Sequence, residues 1–244
     1  MKLFASGCSF TWGGELFKTL HDSFGYILDE HNTSDINQQR LNVTWPKHLS
    51  TLLECSEFHN HSMGCGSNAR IVRKAFEFFV PKILAGEDMS EWVVAIQWTE
   101  PSRFEFFDEV TNCWAIAKHD LVLFEKNRSF TDTDKEDILH YYTYNNDIVW
   151  GNTFFTQITA LGNFLKLHGI KYVFTMIHEG FVSPLTETQL KYCNENFVWY
   201  KDNIIGCSIS NMGVESCELS PHPSELGHRQ IADNLYSFLF SQSS

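Results

Sequence analysis

Short apolar runs alternate with stretches of helical periodicity along most of the chain, and this alternation restricts the fold more than any other feature. A run of four to eight residues with little polar alternation suits a strand covered on both faces, not a strand with one wet face. Residues 2–6, 57–60, 91–97 and 170–177 are the predicted strands. Between them lie helical patterns: residues 45–54, then Ile71, Ala75, Phe78, Phe79 and Ile83 up to Gly86, then residues 152–168 with Phe154, Phe155, Ile158, Leu161 and Leu165 on one face. Gly169 marks the stop of that helix, and a last one opens at Pro223 and presents Ile231, Leu235 and Phe238. Strand and helix in strict alternation imply parallel pairing through crossover helices. The expected fold class is α/β, a three-layer α/β/α sandwich with a central, mostly parallel, flavodoxin-like sheet.

With 244 residues, 43% of them hydrophobic and 15% aromatic, the chain has apolar material for one large core. A single domain over residues 1–244 is therefore expected. From about 103 to 146 the periodicity gives way to charged and aromatic residues, the pattern of an insertion carrying a hairpin or lid rather than a second core. Its Phe104, Phe106, Phe107, Trp114, Tyr141, Tyr142 and Tyr144 suit a sugar platform, a lid over an acyl pocket, a satellite core or an oligomer contact, and the sequence does not separate these.

The formal net charge of -12 argues against broad attachment to nucleic acid or to an anionic membrane surface. Residues 1–6 read as the start of a strand and not as a secretory leader, and no stretch is apolar for long enough to span a bilayer. Seven cysteines, odd in number and never spaced as CxxC, fit neither a disulfide framework nor a zinc knuckle. Reduced thiols and a cytoplasmic setting follow. His59, His61, His178, His222 and His228 raise the question of a metal, but His59-Asn-His61 supplies only two ligands on one strand face, so no metal and no other cofactor is expected.

In an open parallel sheet, reactive groups gather in the loops after the strands. After the first strand comes Gly7-Cys8-Ser9-Phe10, where glycine allows a sharp turn and Ser9 heads the following segment. Near the C-terminus Pro221 and Pro223 hold His222 in a rigid setting just before a helix. A capping serine and a histidine satisfied at a helix start are the plain alternatives.

Gly7-Cys8-Ser9-Phe10 resembles the first block of the SGNH/GDSL hydrolases, and residues 222–228 look like their last block. Residues 60–68 and 97–100 are similar to the two blocks between, so the resemblance runs in order through the whole chain. It implies Ser9 as nucleophile and His222 as its base. It also implies an oxyanion hole made of the Ser9 N–H, a glycine N–H from Gly66 or Gly64, and Thr99 where the family usually has asparagine. The family's acid falls at Leu219; Glu218, one residue earlier, is the candidate that would orient His222, with a backbone carbonyl and a Ser-His dyad as the alternative. The implied substrates are small acyl esters, acetyl groups on sugars included, which makes an esterase or carbohydrate deacetylase the leading expectation.

Asn68 and Arg70, at the start of a helix, would contact substrate or satisfy backbone groups; Arg103 would bind a carboxylate or pair with Glu100 or Glu105. The implied partners are a small-molecule or carbohydrate ester, with no nucleic acid and no membrane. A binding or structural protein that keeps the SGNH scaffold with weak or no catalysis is the alternative. A flavodoxin-like nucleotide binder is weaker, since neither GxxxxGK[ST] nor GxGxxG follows the first strand.

Overall fold

The computed structural model describes residues 1–14, 16, 35–109, 112–118, 121–124, 131–217 and 221–241. In chain order the elements are β1 (Lys2–Ser6), α1 (Ser9–Trp12), α2 (Asp35–Asn42), α3 (Trp45–Leu52), β2 (Glu57–Asn60), α4 (Asn68–Leu84), β3 (Trp92–Trp98), β4 (Phe104–Asp108), β5 (Cys113–Lys118), β6 (Leu121–Phe124), α5 (Asp132–Tyr144), α6 (Asp147–Leu167), β7 (Lys171–Met176), α7 (Glu187–Asn196) and α8 (Glu225–Ser241).

Four strands form one parallel sheet in the order β2-β1-β3-β7, with Ala5 opposite both Asn60 and Ala95, and Ala95 opposite Val173. The chain runs from β1 outward to β2 through α3, then back past β1 to β3 through α4. Right-handed crossovers in opposite directions place their helices on opposite faces of the sheet. Accordingly α3 packs with α8, and α4 packs with α6. The result is a three-layer α/β/α sandwich. All seven residues of β3 are buried because both of its faces and both of its edges are covered, whereas β2, at the edge, is half-buried throughout. The direction of winding reverses between β1 and β3, so the loops leaving these two strands diverge and open a crevice at their carboxyl ends.

The segment expected to hold a hairpin or lid without a core is built differently. Strands β4, β5 and β6 make an antiparallel meander, and α5 packs on it around Cys113, Ala115, Ala117, Val122 and Ile138. This is a small core of its own, with Phe104, Phe106 and Tyr142 set against it. Tyr141 stacks on Phe104 with ring centroids 3.7 Å apart, so most of the aromatic excess serves local packing, while Phe107 and Tyr144 stay exposed. A bidentate pair fastens the meander to α4: Arg73 Nε and Nη2 donate to Glu105 Oε1 and Oε2 at 3.0 and 2.9 Å.

α6 begins five residues before the sequence suggested. Asn146 caps it, its side chain accepting from the Ile148 and Val149 N–H groups, and Gly151 continues the helix instead of breaking it. A Cβ at Gly151 would stand 2.0 Å from the Pro184 carbonyl oxygen, so close packing selects this glycine. Among the described residues no helix is long and apolar enough to cross a membrane.

One contact between α3 and α8, within their shared layer, carries a pH signature. The His228 side chain is fully buried, and its Nδ1 accepts the Trp45 N–H at 3.1 Å, while its Nε2 has no partner among the described residues. Burial, assisted by the charges of His48 and His222, pushes this imidazole down to about 3, and burial lowers His48 as well. The unfolded chain protonates first, near 6.5, so the stabilisation is complete above that pH and is lost as the pH falls towards 3. Urea unfolding is expected to show about 2 kcal/mol less stability at pH 5 than at pH 7 from this residue, before carboxylates titrate. His228→Gln, which retains an acceptor, should flatten that slope; an unchanged slope would assign it elsewhere.

Candidate active site

The turn after β1 is shaped by Gly7, where a Cβ would lie 2.1 Å from Thr11 Oγ1. The chain can therefore fold back at once into the single turn α1, in which the Thr11 and Trp12 N–H groups donate to the Cys8 carbonyl at 3.0 and 2.9 Å. Gly13 ends that turn in the left-handed region at φ 82°, and the Gly14 N–H donates to the Ser9 carbonyl at 2.7 Å. Arg40 from α2 donates to the Trp12 carbonyl and lies over the Trp12 ring, closing the turn from outside. Thr11 Oγ1 donates to Gln97 Oε1 at 2.6 Å, which ties α1 to β3.

Ser9 is thus the first residue of a rigid turn, half-buried, at the mouth of the crevice between β1 and β3. Its Oγ lies 2.8 Å from His222 Nε2. With Nε2 unprotonated, the Ser9 hydroxyl donates to it, the arrangement a general base requires.

His222 is held by the backbone around it. Ser216 and Pro223 form an antiparallel bridge, the Cys217 N–H donates to the His222 carbonyl at 2.8 Å, and the Ser224 N–H donates to the Glu215 carbonyl at 3.0 Å. The Phe10 ring lies against the imidazole with centroids 4.6 Å apart. A Cβ at Gly14 would come within 3.0 Å of Ser9 Cβ and 3.2 Å of His222 Cδ2, so glycine there leaves room for the pair. Glu218 and Leu219, on which the choice of a triad acid turned, lie outside the described residues.

The expected oxyanion donors separate on inspection. The Gly66 N–H is committed to the Met63 carbonyl at 3.0 Å, and a Cβ at Gly66 would stand 2.9 Å from the Gly7 carbonyl oxygen and 3.1 Å from that of Met63. Gly66 is therefore a spacer that lets two loops approach, which corrects its expected role as donor. The Gly64 N–H and the Ser9 N–H have no partner among the described residues. Thr99 Oγ1 is buried, also without a partner. Gly66→Ala is expected to push the Gly7–Cys8 backbone aside and displace Ser9. A misplacement near 1 Å costs about 10²-fold in rate, and steady-state kinetics beside a melting curve would show whether activity falls further than stability.

Asn68 is buried and fully engaged: its Nδ2 donates to the Thr99 carbonyl at 3.0 Å, and its Oδ1 accepts the Thr99 N–H at 2.8 Å. It fixes the loop that carries Thr99, the backbone-satisfying one of its two expected roles. Arg70, also buried, donates to the His61 carbonyl. Arg103 stands beside Glu100, with Nε 3.4 Å from Glu100 Oε2, while Glu105 is taken by Arg73. Two of the other candidate histidines have structural partners: His59 Nε2 is 2.7 Å from Glu57 Oε1, and His178 Nδ1 accepts the Gly180 N–H at 2.9 Å. No group of three or more His, Cys, Asp or Glu among the described residues could hold a metal ion.

Gln97 is the residue whose importance the sequence concealed. Fully buried at the end of β3, it accepts from Thr11 and faces the Cys8 thiol at 4.0 Å, backing the floor beneath Ser9. A glutamine inside the otherwise apolar run Trp92–Trp98 is the one signal that marks it.

Among solved structures, the chain is similar to a member of the lipolytic protein G-D-S-L family from Veillonella parvula DSM 2008, at 12% identity, TM-score 0.47 and 98% coverage of each chain. It is also similar to phospholipase A1 from Streptomyces albidoflavus NA297, at 11% identity and TM-score 0.40, covering 97% of this chain and 98% of that one. No curated protein matches in sequence. A family model described as a family of unknown function, DUF6071, matches residues 27–201, a span that holds Thr99 and Arg103 but neither Ser9 nor His222.

Proposed function

The chain belongs to the DUF6071 family of unknown function, so its chemistry is read from its own residues, and we propose that it is a serine esterase acting on small acyl esters, acetyl groups on sugars among them. The observation that carries this reading is the 2.8 Å contact between Ser9 Oγ and His222 Nε2 at the carboxyl ends of parallel strands.

In the proposed mechanism Ser9 Oγ attacks the ester carbonyl carbon while His222 Nε2 takes the hydroxyl proton. The carbonyl oxygen becomes an oxyanion, which the Ser9 N–H, the Thr99 hydroxyl and the Gly64 N–H are available to receive. Collapse of the tetrahedral intermediate breaks the bond to the alcohol oxygen, and His222 returns the proton to that leaving group. Water then attacks the acyl-Ser9 ester with His222 again as base, releasing the acid and restoring the hydroxyl. The hydrogen bonds between residues 215–217 and 222–224 keep the imidazole in place through both proton transfers.

A binding protein with weak catalysis is the second reading, favoured by the commitment of the Gly66 N–H to Met63. One experiment separates the two. A fluorophosphonate probe followed by mass-spectrometric mapping is expected to modify Ser9 in the wild type and not in His222→Ala. Failure to modify Ser9, with no turnover of p-nitrophenyl acetate above that of Ser9→Ala, would remove the esterase.

A further inference from the structure

Arg103 follows Thr99 by four residues and immediately precedes β4. Its side chain is only 14% exposed, and part of its guanidinium is poorly matched. Glu100 Oε2 is 3.4 Å from Nε, long for a charged pair, and Glu100 is itself 43% exposed and gives its other oxygen to Ser102 Oγ at 2.8 Å. The other nearby carboxylate, Glu105, is held by both nitrogens of the Arg73 fork. Arg103 Nη1 is buried and has no acceptor among the described residues. A guanidinium cannot shed its charge, and a buried N–H on it without an acceptor is costly enough that folded chains seldom retain one.

The loop of Arg103 leaves the carboxyl end of β3 next to the Ser9 turn, where Thr11 Oγ1 donates to Gln97 Oε1 at 2.6 Å and the Cys8 thiol faces the same oxygen at 4.0 Å. Tyr142, from the inserted α5, donates to the carbonyl of the neighbouring Ser102 at 3.1 Å. The unsatisfied donor is therefore in the wall between the Ser9 crevice and the inserted segment. A planar fork with a free edge suits an oxyacid anion.

We infer that Arg103 binds an anionic oxygen group, a carboxylate or a phosphate, on the molecule whose ester meets Ser9, so that the substrates are esters of anionic compounds. This rests on the esterase reading for the chemistry but not for the binding. The test is equilibrium binding to Ser9→Ala protein, which cannot turn substrate over, using 4-acetoxybenzoate, 4-acetoxyphenyl phosphate and the neutral methyl 4-acetoxybenzoate. At least about tenfold tighter binding of one anion than of the neutral ester is expected, the preference falling to about one when Arg103→Gln is added and to an intermediate value with Arg103→Lys. Whichever anion binds more tightly identifies the group. Glu100→Gln, a change at a well-exposed side chain, releases the guanidinium from its weak partner without threatening the fold and should tighten anion binding about threefold. Equal binding of anions and neutral ester, a preference that survives Arg103→Gln, or an anion affinity that Glu100→Gln leaves unchanged or weakens would overturn the inference. If Ser9 resists the fluorophosphonate while Arg103-dependent anion binding persists, the esterase fails and the anion site stands.

Discussion

Ser9→Ala is expected to lower kcat/KM for p-nitrophenyl acetate by roughly 10⁴-fold or more, and His222→Ala by a comparable factor, because nucleophile and base act as a unit. The two oxygen and nitrogen atoms are already in hydrogen-bond contact at 2.8 Å, so the geometry of attack needs no rearrangement of the pair. The double variant should be no slower than Ser9→Ala alone, since a base without a hydroxyl to deprotonate contributes nothing further. Progress curves over long incubations would measure this. Additive losses in the double variant would mean that Ser9 and His222 act on different steps.

Thr99→Val should move activity and stability in opposite directions. The Thr99 hydroxyl is buried without a partner among the described residues, while the N–H and carbonyl of the same residue are clamped by Asn68. In the resting protein this unpaired hydroxyl is a cost, and a methyl group of the same size removes it; about 1 kcal/mol of added stability is expected, a rise in Tm of about 2–4 °C. In the transition state the same hydroxyl has an oxyanion to meet, and losing one such donor typically costs about 10²–10³ in kcat. KM should change little, because the ground-state carbonyl does not draw on this donor. Calorimetry beside steady-state kinetics would decide, and a variant that is more stable but equally active would remove Thr99 from the site.

Periodicity made the parallel sheet legible: the runs leading into β1, β2, β3 and β7 have both faces covered or lie against a covered neighbour, and α3, α4, α6 and α8 each show an apolar face. The helices α5 and α7 were not legible, because they bury little: Asp134 and Ile138 on the first, Cys193 on the second. Their starts were nonetheless written in the chain as capping boxes, Thr131 with Asp134 and Thr186 with Gln189. In the site, Ser9 and His222 stood out because glycine and proline punctuate the loops that carry them. The choice between Gly64 and Gly66 did not, since it depends on which N–H the turn itself consumes. Gln97 was hidden for the converse reason: within a strand, one polar residue carries no pattern.

The pair at the centre of this site is separated by 213 positions in the chain. Ser9 precedes β2, β3 and β7 in the chain, whereas His222 follows all of them. During synthesis, a nascent chain that bears the four parallel strands but not yet His222 therefore presents the Ser9 hydroxyl without the imidazole beside it. On the esterase reading, a ribosome-tethered series of increasing length should gain probe labelling only once α8 has cleared the exit tunnel and docked on α3.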